Sequence, residues 1–317
     1  MSPEVEQQKQ TPTLLLLAGG AVLTLLLQVT PGILGVAGFF LVLFVAVPIA
    51  YVHMRCGTGT AVGAVILVAI GSYLLDGIYG MAGYLLQFGM IALLLPYLLR
   101  RGWGWDRAVA AAVVVISVVL FLVLFGSASV VGVPVSEQVA ALTNAQVEQA
   151  IALYTTPEMS PEQVNELKSS FEKMADSISY AYPGLVVTVT GFLAALLLWV
   201  LSAISRSQYQ IPGLAFVAWK APEHLVWLLI AAGFVFSFVE GALKQVSVSL
   251  LIILLPIYFL QGLAIVTHFF NRRQLPPFMR GLGYVLIAFL SPMPLIITGL
   301  GVFDLWIDFR KPRVKET

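Results

Sequence analysis

GLGYVLIAFLSPMPLIITGLGVFDLWIDFRK, residues 281–311, decides what kind of molecule this chain is. It is apolar for most of its length, is broken by Pro292 and Pro294, and closes on Gly299, Gly301, Asp304, Trp306, Asp308, Arg310 and Lys311. An apolar run that ends in an acidic residue, an aromatic one and a basic cluster reads as a segment leaving a bilayer through its interface. The rest of the chain agrees. Hydrophobic residues make up 59% of the 317 and charged ones 10%, against about 25% charged in a soluble domain. So much apolar surface excludes a soluble fold. It predicts an all-α, polytopic transmembrane bundle whose first partner is the lipid bilayer. A formal charge of +1 offers no basic face for nucleic acid.

Outward from that stretch, apolar runs near the ~20 residues a crossing needs recur through the chain. They fall at 13–29, 32–51, 57–75, 77–99, 108–125, 184–201, 225–239 with its flanks, and 246–266. With the Pro-broken segment this predicts about nine spans. Thr30-Pro31-Gly32 reads as the first turn. Gly59 and Gly63, four apart, offer a small-residue face for close helix approach. The division expected is a five-helix membrane bundle over 1–125, a polar insert over 126–183 and a second membrane bundle over 184–317. Lys9 alone, beside Glu4 and Glu6, precedes the first run. A cleavable leader wants a basic start and a small-residue cleavage site, so the run is expected to be a retained helix. The single cysteine, Cys56, allows no intrachain disulfide, and with His53 it falls short of a zinc ligand set. No metal or cofactor is expected.

Lysine and arginine set the orientation. With the N-terminus in the cytoplasm, ten basic residues from Lys9 to Arg280 fall on the inside, and Lys168, Lys173 and Lys244 fall outside. Nine crossings would put Arg310, Lys311, Arg313 and Lys315 outside, against the rule. Two full spans do not fit into the last segment. A re-entrant hairpin bent at Ser291-Pro292-Met293-Pro294 would return the tail to the cytoplasm.

The insert carries seven acidic residues and two lysines between Glu137 and Asp176. Ser160-Pro161-Glu162-Gln163 has the form of a capping box with proline at the first helical position. Val164, Leu167, Phe171, Met174 and Ile178 then recur at helical spacing, and Val139, Leu142 and Ile151 do so before it. Two amphipathic helices joined near 155–159 and lying outside the membrane are expected. They form either a solvated cap or, through residues 136–180, a docking module for a protein partner.

Ionisable residues inside a span are functional candidates by default. Asp76 and Glu240 lie at the outer ends of their spans, where they are either boundary residues or the rim of an outward-facing site. Gln87 and Gln261 lie deeper, beside glycines, as packing glue or ligand contacts; Gln28 is a further deep polar group. His53 and His268 are read as interfacial, near Arg55 and Arg272, and Glu223-His224 as a helix cap. No H-E-x-x-H, G-x-S-x-G or Walker loop occurs, so an enzyme is not expected.

Three stretches resemble the YybS-like family of bacterial membrane proteins, a family without an assigned function. They are Pro48, His53, Arg55 and Gly57; Phe216, Trp219, Pro222 and Trp227; and Gly301, Asp304, Trp306, Asp308, Phe309, Arg310 and Lys311. The resemblance covers most of the chain and implies a bacterial cytoplasmic-membrane protein. It also makes the N-terminal half broadly similar to the substrate-binding subunits of energy-coupling-factor vitamin transporters, which dock on a shared ATPase module. This chain has more spans than they do and only a loose small patch at Ala18–Ala21, and no ligand residue carries over. The function expected is binding or transport of a small, largely apolar or aromatic solute. The alternative is a membrane scaffold or assembly factor acting through the acidic insert and the basic inner loops.

Overall fold

The computed structural model describes residues 3–155, 159–204 and 209–310. The described residues form helices and connecting turns, with no strand among them. In order they are α1 (Pro3–Leu34), α2 (Val36–Val42), α3 (Ala46–Cys56), α4 (Thr58–Tyr84), α5 (Met90–Arg100), α6 (Trp105–Val131), α7 (Val135–Tyr154), α8 (Pro161–Ile204), α9 (His224–Phe238), α10 (Ala242–Arg272), α11 (Pro277–Phe289) and α12 (Met293–Ile307). Six helical runs are long and apolar enough to cross a membrane: Thr13–Leu34, Val36–Cys56, Thr58–Arg100, Trp105–Val131, Pro161–Ile204 and Ala242–Arg272. The pair α11 and α12, bent by 101°, brings the count to seven if it is one span. The chain is thus a helical protein with six to seven candidate spans. It divides into two compact units, one of residues 1–127 with 189–213, the other of 128–188 with 214–317.

In the first unit, α3 packs between α5, α4 and α1, around buried Val45, Ile49, Val68, Ile91, Leu95 and Leu197. The expected turn at Thr30-Pro31-Gly32 does not form. Helix α1 runs on to Leu34, and the chain turns at Gly35, whose φ of 55° suits a residue without a Cβ. Pro31 lacks the N–H that would bond Leu27 O, and the Thr30 hydroxyl donates to that carbonyl instead, at 2.7 Å. Of the two glycines expected to admit a neighbour, Gly63 meets Leu17 and Gly59 faces open space.

The run 58–100 is interrupted twice. Asp76 and Gly77 leave helical geometry, Gly77 at φ 67°, and Leu85–Gly89 forms a wide π-type turn before α5. At ~1.5 Å per residue this 43-residue run would measure about 65 Å, twice the ~30 Å hydrocarbon core.

His53, read as interfacial near Arg55, lies in the last turn of α3. It is fully buried, with Nε2 3.0 Å from Thr58 Oγ1, because the face of α3 that carries it packs inside the unit. Arg100 Nη1 donates to His53 O at 2.8 Å and Met54 O at 3.3 Å. A guanidinium there satisfies last-turn carbonyls of α3 and faces the negative end of its dipole. Below it, Tyr209 donates to Leu201 O at 2.8 Å. Burial pushes its phenol up to about 12, so it stays a donor at neutral pH.

In the second unit, α7 and the first half of α8 are helical, as their apolar spacing predicts. Ser160 N donates to Gln163 Oε1 at 2.9 Å and Gln163 N to Ser160 Oγ at 3.3 Å, the reciprocal bonds of a capping box. The rings of Tyr154 and Phe171 lie 6.0 Å apart, and Val135, Val147 and Ala175 are buried. Leu142 and Met174, expected in the stripe, are exposed. The second helix does not stop at Pro183 but continues to Ile204 as one helix of 44 residues. Glu223 is the N-cap residue of α9, where Glu223-His224 was expected to sit, but it makes no side-chain capping bond.

Helices α10 and α12 meet backbone to backbone. A Cβ at Gly262 would strike Ile297 O, and one at Gly301 would strike Tyr258 O. Farther up α10, Gly184 of α8 lies against Ser249, and Thr188 Oγ1 donates to Ile252 O at 2.9 Å.

Candidate functional site

The close approach of α10 and α12 places Gln261 against Asp304. Both are buried, at 2% and 0% exposure. Gln261 Nε2 donates to Asp304 Oδ2 at 3.2 Å, and Gln261 Oε1 accepts from Ala221 N at 3.1 Å. Asp308 ends α12 in the left-handed region at φ 46°, and this turns the chain back so that Phe309 N donates to Asp304 Oδ1 at 3.1 Å. Arg310 then reaches the same carboxylate, Nη2 to Oδ2 at 2.6 Å, with its side chain 8% exposed.

The other edge of the guanidinium clamps the extended chain before α9. Arg310 Nη1 donates to Val217 O and Trp219 O, each at 2.8 Å. Lys220 pairs with Asp308 at 3.1 Å nearer the surface. Around this polar knot, Ala221, Val226 and Tyr258 are buried, with Trp219, Val302 and Leu305 packed on them.

Apart from Arg310 Nε, which is buried without a hydrogen-bond partner among the described residues, each polar group therefore has a defined task. Residues 214–223 are largely non-helical, so their backbone groups need partners from elsewhere. Gln261 supplies an acceptor and Arg310 two donors. A buried guanidinium in turn needs a carboxylate, since an unpaired charge in a low-dielectric interior is expensive. Asp304 is that carboxylate, and Gln261 and Phe309 take two more of its acceptor positions. This chemistry holds chain segments together, with Asp304 fully buried among them.

Of the candidate residues read from sequence, Gln261, Asp304, Asp308 and Arg310 are brought together. Trp306 lies on the exposed side of α12, at 55%. Lys311 lies outside the described residues. Asp76, Gln87 and Glu240 do not join the cluster. Asp76 is exposed at the α4 break, Gln87 is exposed on the wide turn, and Glu240 pairs with Lys244 at 2.7 Å on the surface.

Sequence reasoning missed the carbonyl clamp at Val217 and Trp219, and Lys220 as the partner of Asp308. The nearest signal was Trp219, already singled out beside Pro222. It also left Gln28 without a partner, which the structure supplies: Ser72 Oγ lies 2.9 Å from Gln28 Oε1. No group of three His, Cys, Asp or Glu side chains placed to hold a metal ion occurs among the described residues.

A search of curated proteins and one of solved structures returned no match. Residues 22–305 match the model of a family described as "Predicted membrane protein (DUF2232)". That match begins in α1, ends one residue past Asp304, and so contains the Gln261–Asp304 contact and the clamped segment. On that coverage, the chain belongs to this family of membrane proteins.

Proposed function

We propose that the chain is a bacterial cytoplasmic-membrane protein that binds and moves a small, largely apolar or aromatic solute. The observation that carries this reading is the interrupted run from α4 to α5. Asp76 sits where the helix breaks and Gln87 sits in the wide turn that follows. In secondary transporters, discontinuous helices form the substrate site, because unwound backbone presents polar groups at depth. Wide turns of this kind also cluster at functional sites. Read this way, 58–76 and 77–100 are two crossings that meet at the outer boundary, where Asp76 is the rim of an outward-facing site. The wide turn with Gln87 is the interruption at depth within the second crossing.

The family match includes the first two stretches that resemble YybS-like proteins and part of the third. The similarity of the N-terminal half to vitamin-binding subunits belongs to the same proposal and adds a separate energising partner. The test is native mass spectrometry of protein extracted gently from its own membrane, followed by uptake of any molecule found. A discrete adduct lost in Asp76→Asn and Gln87→Ala supports the reading. Absence of adduct and of solute-dependent uptake overturns it.

A second reading is a scaffold, favoured by the helical hairpin of α7 and α8. Its capping box and ring contact make it a built element. Glu137, Glu148, Glu162, Glu166, Glu172 and Asp176 are all exposed on it. Deleting residues 136–180 separates the two: a scaffold loses its protein partner, and a transporter keeps its solute.

A further inference from the structure

The geometry points to α11 and α12 as a re-entrant wedge that enters and leaves the membrane on one face, with its rim built to hold anionic phospholipid headgroups. The first support is register on α10. Arg280 Nη1 donates to Asn271 Oδ1 at 2.6 Å. Tyr284 OH lies 2.9 Å from Thr267 Oγ1, and Gly283 faces Phe270. Helix α11 therefore runs antiparallel beside the end of α10. After the 101° bend, α12 meets Gly262, Tyr258 and Gln261.

These contacts fall between Tyr258 and Asn271. The other half of α10 is occupied by α8, through Ser249, Ile252 and Gln245. At ~1.5 Å per residue, α11 and α12 reach no farther than about halfway along α10. Helix α11, at 13 residues, is too short alone to span a ~30 Å core.

The bend itself suits partial depth. Non-helical backbone is costly in lipid because of its unpaired donors. Pro292 and Pro294 remove two of them. Met293 N donates to Leu290 O, and Leu295 N and Ile296 N lie within bonding distance of Pro292 O. The chain after α12 thus emerges on the same face as the turn between α10 and α11. With the N-terminus inside, 58–76 and 77–100 counted as two crossings and α9 with its flanks as one, eight crossings precede the wedge. The chain after α12 then returns to the inner side, and the conflict raised by nine crossings disappears.

The second support is charge. No acidic residue occurs between Glu240 and Asp304. Arg280 is held by Asn271 and by Leu275 O at 2.7 Å. Arg272 and Arg273 are exposed and have no acidic partner among the described residues. Beside them Phe278 and Met279 are exposed at 81% and 51%. Arginines at headgroup level beside apolar side chains that enter the acyl region match a phospholipid with a negative headgroup.

The experiment uses the full chain with Cys56→Ser and one new cysteine at a time. The positions are Gln274, Gly241 and an appended residue after Thr317, probed in intact cells with a membrane-impermeant maleimide. The expected result is that Gln274 and the C-terminal cysteine are protected together while Gly241 reacts. A C-terminal cysteine that reacts with Gly241 overturns the wedge.

Native mass spectrometry from vesicles of phosphatidylglycerol and phosphatidylethanolamine then reads the rim. Retained phosphatidylglycerol should fall about thirtyfold in Arg272→Gln/Arg273→Gln, by the known worth of two surface cations. It should persist in the double lysine variant and in Lys168→Gln/Lys173→Gln. Unchanged phosphatidylglycerol in the glutamine variant, or retention of a protein in place of lipid, overturns the headgroup assignment. Neither arm depends on solute binding.

Discussion

Two arginines in this molecule do the same job in different surroundings. Arg100, in the first unit, donates to His53 O and Met54 O. Arg310, in the second, donates to Val217 O and Trp219 O. Arg100 is exposed and needs no carboxylate, because water solvates the rest of its guanidinium. Arg310 is buried, and Asp304 lies 2.6 Å away. The comparison teaches that burial, not the carbonyl clamp, calls for the carboxylate. It also makes Asp304 the residue on which the second unit most depends.

The largest expected effect breaks that contrast outright. Asp304→Ala leaves Arg310 buried and unpaired and should cost about 3–5 kcal/mol. Thermal unfolding in detergent, or loss of folded protein on expression, checks it. Arg100→Ala should cost about 1 kcal/mol or less, the worth of a cation at an exposed helix C-terminus. Comparable losses for the two would mean that burial is not what separates them.

Glycine substitutions sharpen the same comparison one step down. Gly262→Ala and Gly301→Ala drive a methyl group into backbone carbonyls, which cannot rotate away. A loss of about 1–3 kcal/mol is expected. In the first unit, Gly20→Ala meets the tip of Val52 at 2.8 Å, and a side chain can yield. Gly59→Ala meets nothing within 4 Å and should be neutral or slightly stabilising. Melting temperatures of the four variants side by side should fall in that order.

Smallest is the exposed pair of Glu240 and Lys244. It is an i,i+4 contact with Glu240 84% exposed, so Glu240→Gln should change stability by about 0.5 kcal/mol or less. A large effect in the same unfolding assay would show that Glu240 has a partner beyond Lys244.

Much of this was legible in the sequence, and the reasons are physical. Helix content follows from apolar runs that cannot be solvated. The capping box at Ser160 and Gln163 is local chemistry, and it formed as spelled. Asp304 and Arg310 stood out because an acidic residue, an aromatic one and a basic cluster close the last apolar run. That they grip each other could not be read, since it depends on the left-handed turn at Asp308 and on where residues 217–221 lie. Gln261 looked like packing glue beside Gly262, and it does hold helices together, through a carboxylate 43 positions away.

Asp76, Gln87 and Glu240 were singled out by the same rule as Gln261, yet they lie at a break, a wide turn and a surface. Polarity in an apolar run marks departures from the simple helix as readily as it marks a shared site. The turn expected at Thr30-Pro31-Gly32 failed because one hydroxyl replaced the bond that proline removes, a substitution no composition rule registers.

The most direct test of the account is a double-mutant cycle on Asp304 and Arg310, read by thermal unfolding of the full chain in detergent. Asp304→Leu and Arg310→Met alone should each be strongly destabilising. Together they should be no worse than either single variant, because the two charges leave the interior together. Additive losses, or single variants that melt like the parent, would contradict the claim that this pair fixes α12 against α10 and the chain before α9.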